Sequence, residues 1–154
     1  MVIILMGPSS SGKSTLAEEL NRHLAGKIYS GKDYLRLAKN RDNAWKAFVD
    51  QLSAVEQDRE NHIIYVCTEL DEIKKLRALS AAKFIKVTAD LQDMEARFAT
   101  RMGGNLPAPL AQMLKRQLSS WQNVESALTV DSSEGKSVQQ LAEIVLSAIP
   151  TLCR

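Results

Sequence analysis

The sequence predicts an α/β fold, a parallel sheet covered by helices on both faces. Three observations predict it. Short apolar runs of strand length alternate with longer segments of helical periodicity along the whole chain. The first run, 2–6, is continuously apolar, as a strand buried on both faces must be. A glycine-bounded loop then separates that run from a helical segment. Parallel strands need crossover connections, and the intervening helices supply them.

Taken in order, the strand at 2–6 leads through Gly7-Pro8-Ser9-Ser10-Ser11-Gly12-Lys13-Ser14 into a helix at 14–24. Leu16, Ala17, Leu20 and Leu24 repeat along it at helical spacing. A short strand at 27–30 ends at Gly31, and 33–40 is expected to be helical. Asp42 is expected to cap a helix at 43–57 that carries Trp45, Phe48, Val49, Leu52 and Val55 on one side. Residues 62–67 form the next buried strand, and Thr68-Glu69-Leu70-Asp71 has the pattern of a capping box for a helix reaching about Leu79. A strand at 84–87 follows, then a helix capped by Asp90 and reaching about Arg101. Residues 102–109 hold two glycines and two prolines, the clearest break in the chain. A helix at 110–121, a strand at 128–130 and a helix capped by Ser137 and Gln140, running to Ile149, complete the series. In such a sheet, ligands sit beyond the carboxyl ends of the strands. Gly7, Gly31, Thr68 and Asp90 all fall there.

The chain has 154 residues, enough for one domain over 1–154 with an ordinary core. Twenty basic residues against 18 acidic ones leave a net charge of +2, which argues for neither nucleic acid nor a membrane as the main partner. Cys67 and Cys153 are too few and too far apart for a disulfide framework or a metal knuckle. The apolar start is cut at Gly7 with no basic segment before it, so it is read as neither a signal peptide nor a span, and a cytoplasmic protein is expected.

The loop fits G-x-x-x-x-G-K-[ST] in the strand–loop–helix setting that the motif requires. Glycine at positions 7 and 12 admits backbone angles that a side chain would block. Successive N–H groups then converge on phosphate oxygens above a helix N-terminus. The expected contacts to a nucleoside triphosphate, ATP, are Gly7, Ser9, Ser10, Ser11, Gly12, Lys13, Ser14 and Thr15. Lys13 is expected at the β- and γ-phosphates, and the Ser14 hydroxyl on Mg2+.

A phosphate loop alone does not separate kinases from switches. The Asn-Lys-x-Asp and Asp-x-x-Gly readers of a GTPase are absent. The strand at 62–67 ends in Cys67 and Thr68, with Glu69 its first acid, so Asp33 or Glu69 is expected as an outer partner of the metal. Asp33, past the second strand, is a candidate to accept or orient a hydroxyl proton, or else a helix cap. Arg97 and Arg101 lie one turn apart before the 102–109 break. They are candidates to neutralise charge during transfer from under a short lid at 102–109. Lys115 and Arg116 are further candidates. His23, His62 and Cys67 carry no ligand spacing, and Trp45 and Phe48 read as core residues or as an acceptor wall.

On these residues the chain resembles the gluconate kinase and shikimate kinase branch of the phosphate-loop enzymes, in the nucleoside-monophosphate-kinase-like superfamily. Gly7 to Ser14 match that family's loop, Ser30-Gly31-Lys32-Asp33 its Gly-Asp segment, and Trp45 its tryptophan. Cys67-Thr68-Glu69-Leu70 match the end of its third strand, Arg97 and Arg101 its Arg-x-x-x-Arg element, and Gln117-Leu118 its Gln-Phe pair. Tyr34-Leu35-Arg36-Leu37 replace the family's histidine-rich segment. The resemblance implies a three-layer fold with a five-stranded parallel sheet, ATP and Mg2+, and a small hydroxylated acceptor. The expected function is therefore an ATP-dependent phosphotransferase acting on a hydroxyl, as a monomer or homodimer. A guanylate-kinase-like nucleotide kinase and a non-catalytic ATP sensor are the alternatives.

Overall fold

The computed structural model describes residues 1–152; Cys153 lies outside the described residues. Five strands form one parallel sheet in the order β2-β3-β1-β4-β5: β1 Val2–Met6, β2 Lys27–Ser30, β3 Ile63–Cys67, β4 Lys83–Thr88 and β5 Leu128–Asp131. The central strand β1 pairs on one edge with β3 (Ile4 opposite Tyr65) and on the other with β4 (Ile4 opposite Phe84). Its loop therefore leaves at the point where the strand order switches sides, the place a parallel sheet leaves open for a ligand.

The helices are α1 Lys13–Leu24, α2 Arg41–Val55, α3 Leu70–Leu76, α4 Leu91–Arg101, α5 Ala108–Trp121 and α6 Val138–Ala148. Alternation along β1 divides the core into two layers. Val2, Ile4 and Met6 pack with Phe48 and Leu52 of α2 and Ile73 and Leu76 of α3. Ile3 and Leu5 pack with Leu16, Ala17 and Leu20 of α1 and Leu141, Ala142 and Val145 of α6. Every side chain of β1 is fully buried, each contributing about 1.5–3 kcal/mol relative to exposure. A third, smaller cluster of Met94, Leu114 and Ala89 joins α4 to α5. This is the expected three-layer arrangement.

Several boundaries differ from expectation for local reasons. Asn40, not Asp42, caps α2: the Asn40 backbone is extended, and its Oδ1 accepts from the N–H groups of Asp42 (2.8 Å) and Asn43 (3.2 Å). The segment after β2 is a 3₁₀ turn at Asp33–Leu37 only. The capping box expected at 68–71 does not form. Glu69 occupies the N-cap position without a side-chain bond, and α3 ends at Leu76; Thr68 and Glu69 instead line a cavity. Asp90 precedes α4 but makes no cap bond. Helix α5 starts at Ala108, with Pro109 in its first turn, where its missing N–H costs nothing. At α6 the box is complete: Ser137 accepts from the Gln140 N–H at 3.1 Å, and Gln140 Oε1 from the Ser137 N–H at 2.8 Å. Among the described residues, no helix is long and apolar enough to cross a membrane.

Candidate functional site

The loop between β1 and α1 is shaped by close approach. Gly7 has φ 149°, and a Cβ there would lie 2.2 Å from the Val87 carbonyl oxygen of β4. Gly12, at φ 99°, turns the chain into α1, whose first turn carries no acidic residue. The helix's unpaired N–H groups and its positive end are thus left to an external anion.

Side chains from distant elements fix the rest of the loop. Ser10 adopts a left-handed conformation (φ 61°), unfavourable for a residue with a Cβ. Two arginines of α4 hold it there: Arg97 Nη1 donates to the Ser10 carbonyl at 3.1 Å, and Arg101 Nη2 to its hydroxyl at 2.7 Å. Ser132, just past β5, donates to the Ser11 carbonyl at 2.7 Å and accepts from Arg97 Nη1 at 2.9 Å. Gln117 Oε1 of α5 accepts the Ser9 N–H at 2.8 Å. Lys13 is buried and donates from Nζ to the Pro8 carbonyl at 2.5 Å. Burial, opposed by Cys67 and reinforced by the Arg101 charge, lowers its ammonium from 10.5 to about 8. The Ser11 hydroxyl is buried with no hydrogen-bond partner among the described residues.

Three cavities run side by side past this loop. The outer one, about 360 Å³, is walled by Arg97, Ser132, Lys136, Val138 and Leu141. The middle one, about 540 Å³, contains Ser9, Lys13, Ser14, Thr68 and Glu69. Ser10, Gly12, Thr15 and Arg101 border both. The inner one, about 330 Å³, has Tyr34, Trp45, Arg41, Asp42 and Lys75 on its wall. Lys32 and Glu69 border both the middle and inner cavities. The result is one trough with the loop at its centre.

A buried carboxylate organises the inner end. Glu72 accepts from Lys32 Nζ, from Tyr65 Oη at 2.6 Å and from Tyr34 Oη at 3.3 Å. The Cys67 thiol is 3.6 Å away. Burial pushes the Glu72 carboxyl upward, but the bonds from Lys32 and Tyr65 outweigh it and hold the group below its ordinary value. The same pair raises Lys32, and burial pushes the Cys67 thiol up to about 11, so it stays protonated.

The structure brings most of the expected residues together. Gly12, Ser9, Ser10, Lys13, Ser14, Thr15 and Arg101 line the middle cavity, and Arg97 stands behind Ser10. Asp33 stands outside the lining, its Oδ2 accepting the Ser30 N–H at 2.9 Å; Lys32 and Glu69 occupy the wall instead. Phe48 is core, whereas Trp45 is half-buried and lines the inner cavity. Sequence reading missed Ser132, Glu72 and the contact between Gln117 and the loop. Ser132 and Gln117 reach the loop across 121 and 108 positions, and a lone polar residue carries no signal of such a contact.

A family model described as RNA helicase matches residues 3–102. No curated protein matches the chain. Among solved structures, a gluconokinase from Sinorhizobium meliloti 1021 is 18% identical over 99% of this chain and 93% of that one, at a TM-score of 0.67. A shikimate kinase from Acinetobacter baumannii, in complex with shikimate, is 15% identical over 97% and 93%, at 0.65. The APS kinase CysC of Mycobacterium tuberculosis, in complex with AMPPNP and APS, is 19% identical over 97% and 96%, at 0.60. At these identities the likeness is one of fold: the chain has the phosphate-loop kinase fold.

Proposed function

The chain belongs to the family described as RNA helicase, matched from β1 through α4, and from that phosphate-binding core we propose an ATP-dependent phosphotransferase acting on a small hydroxyl compound. One observation carries the reading: three cavities share walls in a row, with the loop in the middle. The outer cavity suits a nucleoside, the middle one its phosphates, and the small inner one an acceptor. Outside the family match, α5, β5 and α6 complete the outer wall and the loop's supports. An inner cavity of about 330 Å³ with an aromatic wall suits a small metabolite.

Under this reading the Lys13 ammonium, held in the free loop by the Pro8 carbonyl, meets the β- and γ-phosphates. Arg101 stabilises charge that develops in transfer, as arginine does in other phosphoryl-transfer sites, while Arg97 supports it from behind by holding Ser10 and Ser132. The exposed segment after Arg101, with left-handed Gly103 and Gly104, serves as the lid. Glu69 borders both the phosphate and the acceptor cavities, which makes it better placed than Asp33 to take or orient the acceptor's hydroxyl proton. Among the described residues, no cluster of three carboxylate, histidine or cysteine side chains could hold a metal. Ser14 and Glu69, oxygen donors that border the middle cavity, fit Mg2+ held by phosphate oxygens and Ser14 Oγ, with Glu69 as an outer partner. Such an ion supplies neutralisation of phosphate charge. Arg41 and Lys75 on the inner wall favour a second reading, an acceptor that is itself a nucleoside monophosphate.

An assay of ADP release over hydroxy acids, sugar acids, nucleosides and monophosphates tests both. Turnover with a hydroxyl acceptor is expected. Turnover with monophosphates alone selects the second reading, and nucleotide binding without any turnover replaces both with a sensor.

A further inference from the structure

Ser9 differs from the rest of the loop in having its N–H already taken. Gln117 Oε1 of α5 accepts it at 2.8 Å. Among the described residues, no side chain accepts the N–H of Ser10, Ser11, Gly12, Lys13 or Ser14. Within the trough Ser9, like Lys13 and Ser14, borders the middle cavity but not the outer one, whereas Ser10, Gly12, Thr15 and Arg101 border both. A polyphosphate whose nucleoside fills the outer cavity crosses that shared wall before it reaches Ser9. This ordering rests on the reading of the trough proposed above.

The amide oxygen of Gln117 and a terminal phosphate oxygen are both acceptors, and one N–H serves only one of them at full strength. We propose that Gln117 is a specificity-determining residue, which competes with the terminal phosphate of a triphosphate for the Ser9 N–H. A diphosphate stops short of Ser9 and leaves the Gln117 bond in place. A triphosphate must break that bond, so its affinity is reduced by about one net hydrogen bond relative to a loop without Gln117. The device narrows the advantage of substrate over product nucleotide at the point where the two differ.

Calorimetric titration of the whole chain with ADP and with a non-hydrolysable triphosphate analogue tests the proposal. Gln117→Ala is expected to tighten the triphosphate analogue about fivefold, the equivalent of one net hydrogen bond, with ADP unchanged. Gln117→Glu presents a stronger acceptor with a negative charge, and is expected to weaken the analogue about tenfold or more while ADP moves far less. In the wild-type protein the Ser9 amide resonance is expected to shift with the analogue and to stay in place with ADP, a readout that needs no variant. Equal changes for both nucleotides in both variants, or a Ser9 resonance that responds to both alike, overturn the proposal and make Gln117 a structural pin. If wild type binds neither nucleotide, the reading of the trough falls first, and this proposal with it.

Discussion

Lys13 offers a measurement in which the free and occupied loop differ by one proton. Without phosphate the ammonium is buried against the Pro8 carbonyl and sits at about 8 instead of 10.5. That drop corresponds to about 3 kcal/mol against the charged form. In the free protein, folding stability accordingly rises with pH between about 8 and 10.5, because there the unfolded chain binds the extra proton. A polyphosphate beside Nζ reverses the balance, since opposite charge favours the protonated form. Nucleotide binding above pH 8 must therefore take up a proton. With a free-state value of about 8 and a bound lysine that keeps its proton, uptake is about 0.9 proton at pH 9. Affinity falls toward about tenfold per pH unit above that free-state value. Titration calorimetry at pH 9, in two buffers of different ionisation enthalpy, measures the uptake directly. Lys13→Met is expected to bind weakly with no uptake. Zero uptake by wild type at pH 9, or equal uptake in the variant, refutes the placement of Lys13 against phosphate.

Other consequences are open to simpler measurements. Gly7→Ala sets a Cβ 2.2 Å from the Val87 carbonyl at a φ of 149°. It is expected to cost about 3 kcal/mol by urea denaturation; an unchanged midpoint would show that β1 and β4 separate freely at the loop. Glu72→Gln removes the charge that holds Lys32, whose side chain is 44% exposed, so a loss of about 2 kcal/mol is expected, less than for a fully buried pair. Because the Glu72 carboxyl is held below its ordinary 4.5, wild type should keep its full advantage over the variant above that pH. The advantage should vanish as pH falls through the folded-state value. A constant gap down to pH 2 contradicts the ion pair. Glu69→Gln is expected to lower turnover at least tenfold with ADP affinity retained, and Asp33→Asn much less; the reverse order restores Asp33 as the acceptor's carboxylate.

What was legible in the sequence was what lies close along it. The phosphate loop is eight consecutive residues whose chemistry depends on their own backbone, so motif and geometry coincide. The α6 cap is equally local, since Ser137 and Gln140 satisfy each other within one turn. Between Asn40 and Asp42 the choice of cap turned on the extended backbone at Asn40, which no pattern of residue types reveals. Glu72 stands among lysines and acids on a short helix and reads as part of a solvated face; only the strand that brings Tyr65 beneath it makes it a buried hub. Arg97 and Arg101 were legible as a pair one turn apart, but their grip on Ser10 belongs to the packing of α4.

The bond from Ser132 to the Ser11 carbonyl has a bearing on how the protein is made. Synthesis delivers the phosphate loop before its brace, which belongs to the segment after the last strand, 121 positions later. A nascent chain that has not yet seated β5 holds its motif without that brace, and without the serine that Arg97 grips alongside Ser10. The loop that precedes the helices in the chain is thus among the last parts of the fold to be braced.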